Sequence, residues 1–500
     1  MNTITLASLA PALPEIWLTI AACIVLLTDA FAGRASKRIT PTLTLLLIAL
    51  GAAAIIAWGQ VPQRVDLFSG MYVADPLATV LKLLSFLFTA VALLYSRHWL
   101  ESRGLLKGEY YVLVLTSLLG ICVMVSAGSL LTLYIGVELL ALSLYALVAF
   151  DRDSGIAAES AMKYFVLGAI ASGCLLYGMS LVYGMTGSLL LGEIAAAVQG
   201  QGVAPSLGLM MGLVFVVVGV AFKFGAVPFH MWVPDVYQGT PTVATLLIAS
   251  APKIATFAIA FRMLAEALPA VAVDWQQMLL VLSVLSMGLG NIVAIAQDNL
   301  KRMLAYSTIA QIGFVLLGML SGVVGGSTDG MADAWSASMF YVVTYVLTTL
   351  GTFGVIMLIA RKGHEAELID DLKGLGKRNP GIAFTMLILM FSLAGIPPTV
   401  GFYAKLVVLQ ALLGNGMTTG MIWLAVIAVV FSLIGAFYYL RVVKTMYFDE
   451  PAEGQREPVT APQDMRVALS INGALILLLG IVPQGLLALC TSAMIAALGG

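Results

Sequence analysis

Residues 384–413 read FTMLILMFSLAGIPPTVGFYAKLVVLQALL, an apolar run of 30 residues with Gly395, Pro397, Pro398 and Gly401 at its middle and Lys405 beyond them. A helix crosses the hydrocarbon core of a bilayer in about 20 residues. The run is therefore too long for one ordinary span, and its prolines and glycines predict a helix that stops inside the membrane and resumes. Residues 216–235, VVVGVAFKFGAVPFHMWVPD, have the same form: Lys223, an interruption from Gly225 to Pro228, then apolar residues as far as Val233. Interrupted helices in corresponding positions of two halves point to an inverted-repeat architecture with its site at the membrane interior.

The composition agrees. Of the 500 residues 61% are hydrophobic and 10% charged, and the mean hydropathy is +1.01. A chain of that kind cannot present a solvated globular surface, so the fold class is an all-α integral membrane protein. A net charge of -1 leaves no basic stripe for phosphates and excludes nucleic acid as a partner. Cys23, Cys122, Cys174 and Cys490 stand singly, without the close pairs of zinc or iron–sulfur sites, and read as small buried hydrophobes. The N-terminal MNTITLASLAPALPEIW lacks the positive region of a cleaved signal, so the first apolar run is expected to be retained as a helix.

Apolar runs bounded by charge, Gly or Pro give about 14 spans, at 14–32, 41–59, 76–96, 109–126, 129–150, 161–184, 207–233, 241–264, 276–296, 303–321, 336–360, 381–413, 419–445 and 468–495. The interruptions fall on spans 7 and 12. If spans 4–8 and 9–13 are repeat units of five, both are the fourth helix of their unit, and units of odd size necessarily invert. The expected organisation is N-terminal spans 1–3 over 1–108, a first unit over 109–264, a second over 276–445, and a connection with span 14 over 446–500. Eighteen of the 25 Lys and Arg residues fall in odd-numbered connections, Arg361, Lys362 and Arg456 among them, against Arg64 and Arg262 in the even ones. Positive charge marks the cytoplasmic side, so both termini are expected on the far side.

Five basic residues remain within or beside spans. Lys163 opens span 6 and can lift its ammonium to the interface, while snorkelling is one of two even readings for Lys82. The others call for a protein interior or water, because a lone charge at mid-bilayer costs several kcal/mol on insertion scales, roughly 2.5–3.5. Glu138 lies near the centre of SLLTLYIGVELLALSLYALVAF (129–150), with Tyr134 and Tyr145 on its helical face. Lys253 is deep in span 8, flanked by Ser250 and Thr256 and preceded by Pro252, which loosens the helix. Lys223 and Lys405 accompany the two interruptions, and Lys405 is expected nearer the far side than the centre. Span 11 carries a lane of Ser338, Tyr341, Thr344, Tyr345, Thr348 and Thr352, suited to interhelical hydrogen bonds or to ordering water. Because burial penalises an ammonium and a carboxylate restores it, a row of such groups can pass a charge disturbance along its length. Proton movement is the function this arrangement suggests.

FKFGAVPFHMWVPDVYQGTPT (222–242), LKRMLAYSTIAQIGF (300–314) and AGIPPTVGFYAK (394–405) resemble segments of the antiporter-like proton-pumping subunits of respiratory complex I and of multisubunit cation/proton antiporters. The resemblance runs through nearly the whole chain in order. It implies a fold of fourteen helices with two inverted five-helix repeats, broken helices 7 and 12, and a proton path through Glu138, Lys223, Lys253 and Lys405. The chain ends soon after span 14, without the long lateral helix of the largest sibling, and has lysine at 405 where the middle sibling has glutamate, so the resemblance is to neither of these two. Many relatives have histidine where Gln311 stands, so a hydrogen-bonding role is all that is expected there. No GxGxxG follows a strand and no cysteine cluster occurs. The resemblance accordingly assigns NADH, FMN, iron–sulfur clusters and quinone to partner subunits, with no cofactor or metal in this chain. It implies a place in the bacterial inner membrane beside other antiporter-like and small hydrophobic subunits. A subunit of a multisubunit Na+(K+)/H+ antiporter is the main alternative, and a scaffold whose charges only lock helices is the third.

Overall fold

Hydrocarbon offers a backbone no water to bond, so each spanning segment closes its hydrogen bonds within itself as a helix. The computed structural model describes residues 6–200, 206–360, 365–414, 416–451 and 462–499; Arg361, Lys362, His364 and Arg456 lie outside the described residues. Among them, thirteen helices are long and apolar enough to cross a membrane. The remaining crossing is span 12, made of two 15-residue helices, Pro380–Ala394 and Val400–Gly414, broken where the prolines predicted. Span 7 ends at Phe224, and the short helix Trp232–Gly239 follows its interruption. Tyr72–Ala74 pairs with Val65–Leu67 in a small antiparallel hairpin between spans 2 and 3.

Two spans differ from the sequence expectation. The run at 468–495 is not one helix but two, Gln463–Ile481 and Gln484–Leu498, because Pro483 between them cannot donate to a continuing ladder. Span 8 was expected to be a single loosened helix. It divides at Ser250 (φ −110°, ψ −110°) into Thr242–Ala249 and Ala251–Ala260, then widens into a π-helical turn over Phe261–Ala267. Pro252 thus occupies the first turn of a new helix, where its missing N–H has no partner to lose.

Spans 8, 10 and 11 form the core, with 94% of their most apolar stretches buried against 17% for span 13, which leaves span 13 facing outward. Small residues set the closest packing. A Cβ on Gly120 would lie 2.7 Å from the Leu140 nitrogen, and one on Gly136 2.8 Å from that of Met124, so spans 4 and 5 meet backbone to backbone. Gly290 and Gly313 do the same for spans 9 and 10, against Ala310 and Met287. The start of span 5 bridges to the connection after span 6 at Ser129 and Leu190, and the start of span 10 bridges to the connection after span 11 at Asn299 and Leu368. Gly225 and Gly395, both left-handed (φ +79° and +83°), end the helices at the two interruptions. Only glycine adopts that conformation without strain, and each lets its own N–H close back on the last turn.

Lys82 does not snorkel. It is 3% exposed, its Nζ lies 2.7 Å from Glu15 on span 1, and it donates to the Tyr72 hydroxyl at 2.7 Å. Tyr72 in turn donates to the Pro11 carbonyl at 2.7 Å, so one cation ties span 3 to span 1 and the hairpin. Breaking such a buried pair from one side costs about 3–5 kcal/mol, whereas an apolar replacement of both partners is often neutral. Lys82→Ala is therefore expected to lower the thermal unfolding temperature of the purified protein, and Glu15→Leu combined with Lys82→Met to recover much of the loss. Equal destabilisation by the single and double variants would contradict this ledger of the pair.

Candidate functional site

A helix that ends inside a membrane leaves carbonyls without partners, and those oxygens carry the negative end of the helix dipole. Lys253 answers this need at the first interruption. Its Nζ donates to the carbonyl of Phe224, the last residue of span 7, at 2.9 Å. The ammonium also lies 5.5 Å from the ring centroid of Trp232, within cation–π range. Trp232 is fixed by donating to the Phe222 carbonyl at 3.0 Å and by stacking on Tyr164 at 4.7 Å. Lys223, in the last turn of span 7, faces the same space. A cavity of about 20 Å³ is lined by Lys223, Lys253, Tyr164, Trp232 and Thr256, enough for a single water.

At the second interruption Lys405 does the same work from within its own span. It donates to the carbonyls of Ala394 at 2.9 Å and Leu393 at 3.3 Å, and to the Ser432 hydroxyl on span 13 at 2.8 Å. The ammonium thus lies at the break and not beyond it along the span. The direction of the chain misled the expectation, since side chains on a helix lean toward its N-terminus and Lys405 reaches back to the preceding half. Gln311 donates to the same Leu393 carbonyl at 2.9 Å and to the Tyr439 hydroxyl at 3.0 Å, and it accepts from Tyr341. Its role is a hydrogen-bonding one. Lys405, Gln311, Tyr439, Asn291 and Ser432 line a second small cavity.

Glu138 is half-buried on span 5 and accepts a hydrogen bond from Ser172 on span 6. Ser172 lay on another span, so helical spacing around Glu138 could not find it. Glu138 is within electrostatic reach of Lys223, although no direct ion pair joins them. Leu131, Ile135 and Leu142, on the same face as Glu138, are 50–55% exposed, so the carboxylate borders an open apolar side of the chain. The structure therefore brings Lys223 and Lys253 together, sets Glu138 within electrostatic reach of Lys223 and keeps Lys405 at the other break. No chain of direct side-chain hydrogen bonds joins Lys253 to Lys405 among the described residues. The hydroxyl lane of span 11 divides by use. Ser338, Tyr341, Tyr345 and Thr348 bond across to spans 10 and 12, whereas Thr344 and Thr352 bond back to their own helix.

Three further cations, read from sequence as charges of the connections, sit on helix-end carbonyls. Arg262, fully buried, donates to the Val125 carbonyl at the end of span 4 and pairs with Asp75 at 2.7 Å and Glu266 at 2.8 Å. Arg441 donates to the carbonyls of Ile295, at 3.0 Å, and Gln297 at the end of span 9. Lys301, 1% exposed, donates to the Thr240 carbonyl at 3.0 Å and pairs with Glu367 at 2.6 Å. The Asp75-Pro76 pair was a legible signal for one of these groups, since an aspartate before proline is a helix N-cap and here it also accepts from Arg262.

Helices long and apolar enough to cross a bilayer, packed around a lysine-lined interior with two breaks capped by ammonium groups, define a membrane protein of antiporter-like architecture. The family described as NADH:quinone oxidoreductase/Mrp antiporter, TM, matches residues 127–435. The chain is 56% identical over 492 residues to NADH-quinone oxidoreductase subunit N of Herminiimonas arsenicoxydans, covering 98% of each. It is 54% identical over 490 residues to that of Thiobacillus denitrificans, again covering 98% of each. A chain of respiratory complex I from Thermus thermophilus, solved with bound aureothin, superposes with a TM-score of 0.78 at 32% identity, over 95% of this chain and 98% of that one. A chain of the Mrp complex from a Dietzia species shares the fold at 0.84 and 22% identity, over 98% and 97%. The chain belongs to the NADH:quinone oxidoreductase/Mrp antiporter membrane-subunit family and, within it, to the subunit N branch.

The short helix Trp232–Gly239 carries Trp232 to the lysine cavity and is held by Asp235, in the same first turn. That carboxylate pairs with Arg302 at 2.8 Å and Lys163 at 3.1 Å. Partial burial works against its charge, but the hydrogen bonds from Arg302 and Lys163 prevail and hold it below the usual carboxylate range. The anchorage is therefore complete above the ordinary aspartate pKa and lost as pH falls through the lowered one. Asp235→Asn is expected to speed amide hydrogen exchange across Trp232–Gly239 at neutral pH, and to match the wild type once Asp235 is protonated. Unchanged exchange at neutral pH would show that the ion pairs do not hold this helix.

Proposed function

We propose that this chain is the proton-translocating membrane subunit of a bacterial NADH:quinone oxidoreductase. It passes protons through Glu138, Lys223, Lys253 and Lys405 while partner subunits carry out the electron transfer. The observation that carries this reading is the sharing of one cavity by Lys223 and Lys253, with Lys253 seated on the end of a broken helix. The helix end returns at most about 2 kcal/mol to a cation. Removing an ammonium from water costs several kcal/mol, so whether each lysine keeps its proton depends on the charges and water beside it. Loading or unloading one lysine changes the terms for the next, and Glu138 at the open side of span 5 is the entry for a disturbance arriving from a neighbouring subunit.

The same reading organises the chain as spans 1–3 over 1–108, a unit over 109–264, an inverted unit over 276–445, and a final connection with span 14 over 446–500. It is supported by features that recur at the same step of each five-span unit. They are the glycine contacts of helices one and two, the bridges at Ser129 and Asn299, and the left-handed Gly225 and Gly395. Arg262 and Arg441, each on helix five and each bonded to the end of helix one, complete the set. The excess of Lys and Arg in the odd-numbered connections supports an inner-membrane orientation with both termini periplasmic. NADH, FMN, iron–sulfur clusters and quinone are assigned to partner subunits, and other antiporter-like and small hydrophobic subunits are the lateral neighbours.

A second reading, a subunit of a multisubunit Na+(K+)/H+ antiporter, is favoured by the Mrp description of the family and by the likeness to the Dietzia chain. Purification from native membrane separates the two. Recovery with flavin and iron–sulfur subunits supports the oxidoreductase, and recovery with small hydrophobic subunits alone supports the antiporter. Within the oxidoreductase, Glu138→Ala and Lys223→Ala are expected to lower proton pumping and coupled quinone reduction together, with Glu138→Asp milder. Per assembled enzyme, Lys163→Ala and Lys82→Ala are expected to lose less. Measurements in membrane vesicles check this, and full pumping by assembled Glu138→Ala enzyme would favour a scaffold.

A further inference from the structure

A groove of about 520 Å³ lies between the ends of spans 11, 12 and 14 on the side that carries the excess of basic residues. Its walls are Val355, Leu358, Ile382 and Leu469, and its rim holds Arg378 and Arg466. Each arginine stands just ahead of, or in, the first turn of its span: the first half of span 12 begins at Pro380, and span 14 begins at Gln463. Both guanidinium groups therefore sit at the level where headgroups meet hydrocarbon, above an apolar slot. Gly381, in the first turn beside Arg378, has no atom within 4 Å of where a Cβ would be, so the start of the helix is open to a ligand. Below the rim, Phe384, Val467 and Ile471 are 51–55% exposed and continue the apolar surface down both helices, as a lipid tail requires.

We propose that this groove binds one anionic phospholipid, its phosphate between Arg378 and Arg466 and its acyl chains along Ile382, Phe384 and Leu469. Two observations favour a lipid over a free anion. Beneath the basic rim Val355, Leu358, Ile382 and Leu469 give an apolar floor, with Asn379, Thr385 and Ser470 as its neutral polar neighbours, and the exposed apolar surface runs on from that floor. Charge favours an anionic headgroup over a zwitterionic one, since a basic residue near the surface is worth about fivefold in affinity for anionic lipid. Arg378 is the less replaceable of the two, because its Nη2 also donates to the Asp371 and Lys373 carbonyls at 3.4 and 3.3 Å and so helps order the connection before span 12. Arg466 makes no ion pair among the described residues, so it can be altered without breaking one.

The test uses the assembled membrane complex in phosphatidylcholine vesicles doped with a photoreactive phosphatidylglycerol whose reactive group lies on an acyl chain near the headgroup. Peptides containing 380–385 and 466–470 are expected to be labelled at least about fivefold more than by the matching phosphatidylcholine probe. Arg466→Gln is expected to cut that labelling about fivefold while labelling elsewhere on the chain stays unchanged. Equal labelling by the two probes in the wild type would overturn the proposal and needs no variant to assemble. Unchanged labelling in Arg466→Gln would overturn it too, as would loss of labelling on adding excess inorganic phosphate, which would assign the rim to a free anion. Cross-linking of Ser470→Cys to a neighbouring subunit in high yield would mean that protein, not lipid, fills the groove.

Discussion

A cation seated on the carbonyl end of a helix is the interaction on which this structure depends. Spans 7 and 12 stop inside the membrane, where water cannot reach every freed carbonyl, and each is completed by a lysine. Spans 4 and 9 end on arginines, and the short helix after span 7 ends on Lys301. One physical rule thus serves two purposes. Arginine, which keeps its proton under all ordinary conditions, makes a permanent clamp; lysine makes a clamp that can release its proton. In the proposed mechanism the lysine-capped breaks are the moving parts, and the arginine-capped ends and the Lys82 pair are the frame.

The cavities around the lysines are small, one of them with room for a single water. In the proposed mechanism, transfer between Lys223 and Lys253 across that cavity needs little rearrangement, whereas passage from Lys253 to Lys405 calls for water or side-chain motion along span 11. Tyr341, Tyr345 and Thr348 already bond across to neighbouring spans, so that face is held in place and can order entering water without collapsing. The close glycine contacts of spans 4 with 5 and 9 with 10 hold the helices around the breaks in tight packing.

Much of this was legible in the sequence because it rests on local rules. The length of an apolar run, the proline and glycine within it and the isolation of a lysine predicted the breaks at Gly225 and Gly395 and drew attention to Glu138, Lys223, Lys253 and Lys405. What escaped were facts of tertiary contact. Helical spacing around Glu138 could not reveal Ser172, and counting charges by connection hid that Arg262, Lys301 and Arg441 reach back onto helix ends. Lys405 was placed beyond the break because the direction of a chain says less about an ammonium than the lean of its side chain does. Span 14 was read as one helix although Pro483 stood in its path, because hydropathy averages over a single proline.

The most direct test of the account replaces Lys405 with arginine. A guanidinium retains the charge and can still donate to the Leu393 and Ala394 carbonyls, so the clamp survives, but it holds its proton at any physiological pH. The quantity to measure is the proton-to-electron ratio of the assembled Lys405→Arg enzyme in sealed vesicles. Normal assembly with a reduced ratio is the expected result; wild-type coupling would mean that Lys405 is a counter-charge for the broken helix and not a carrier of protons.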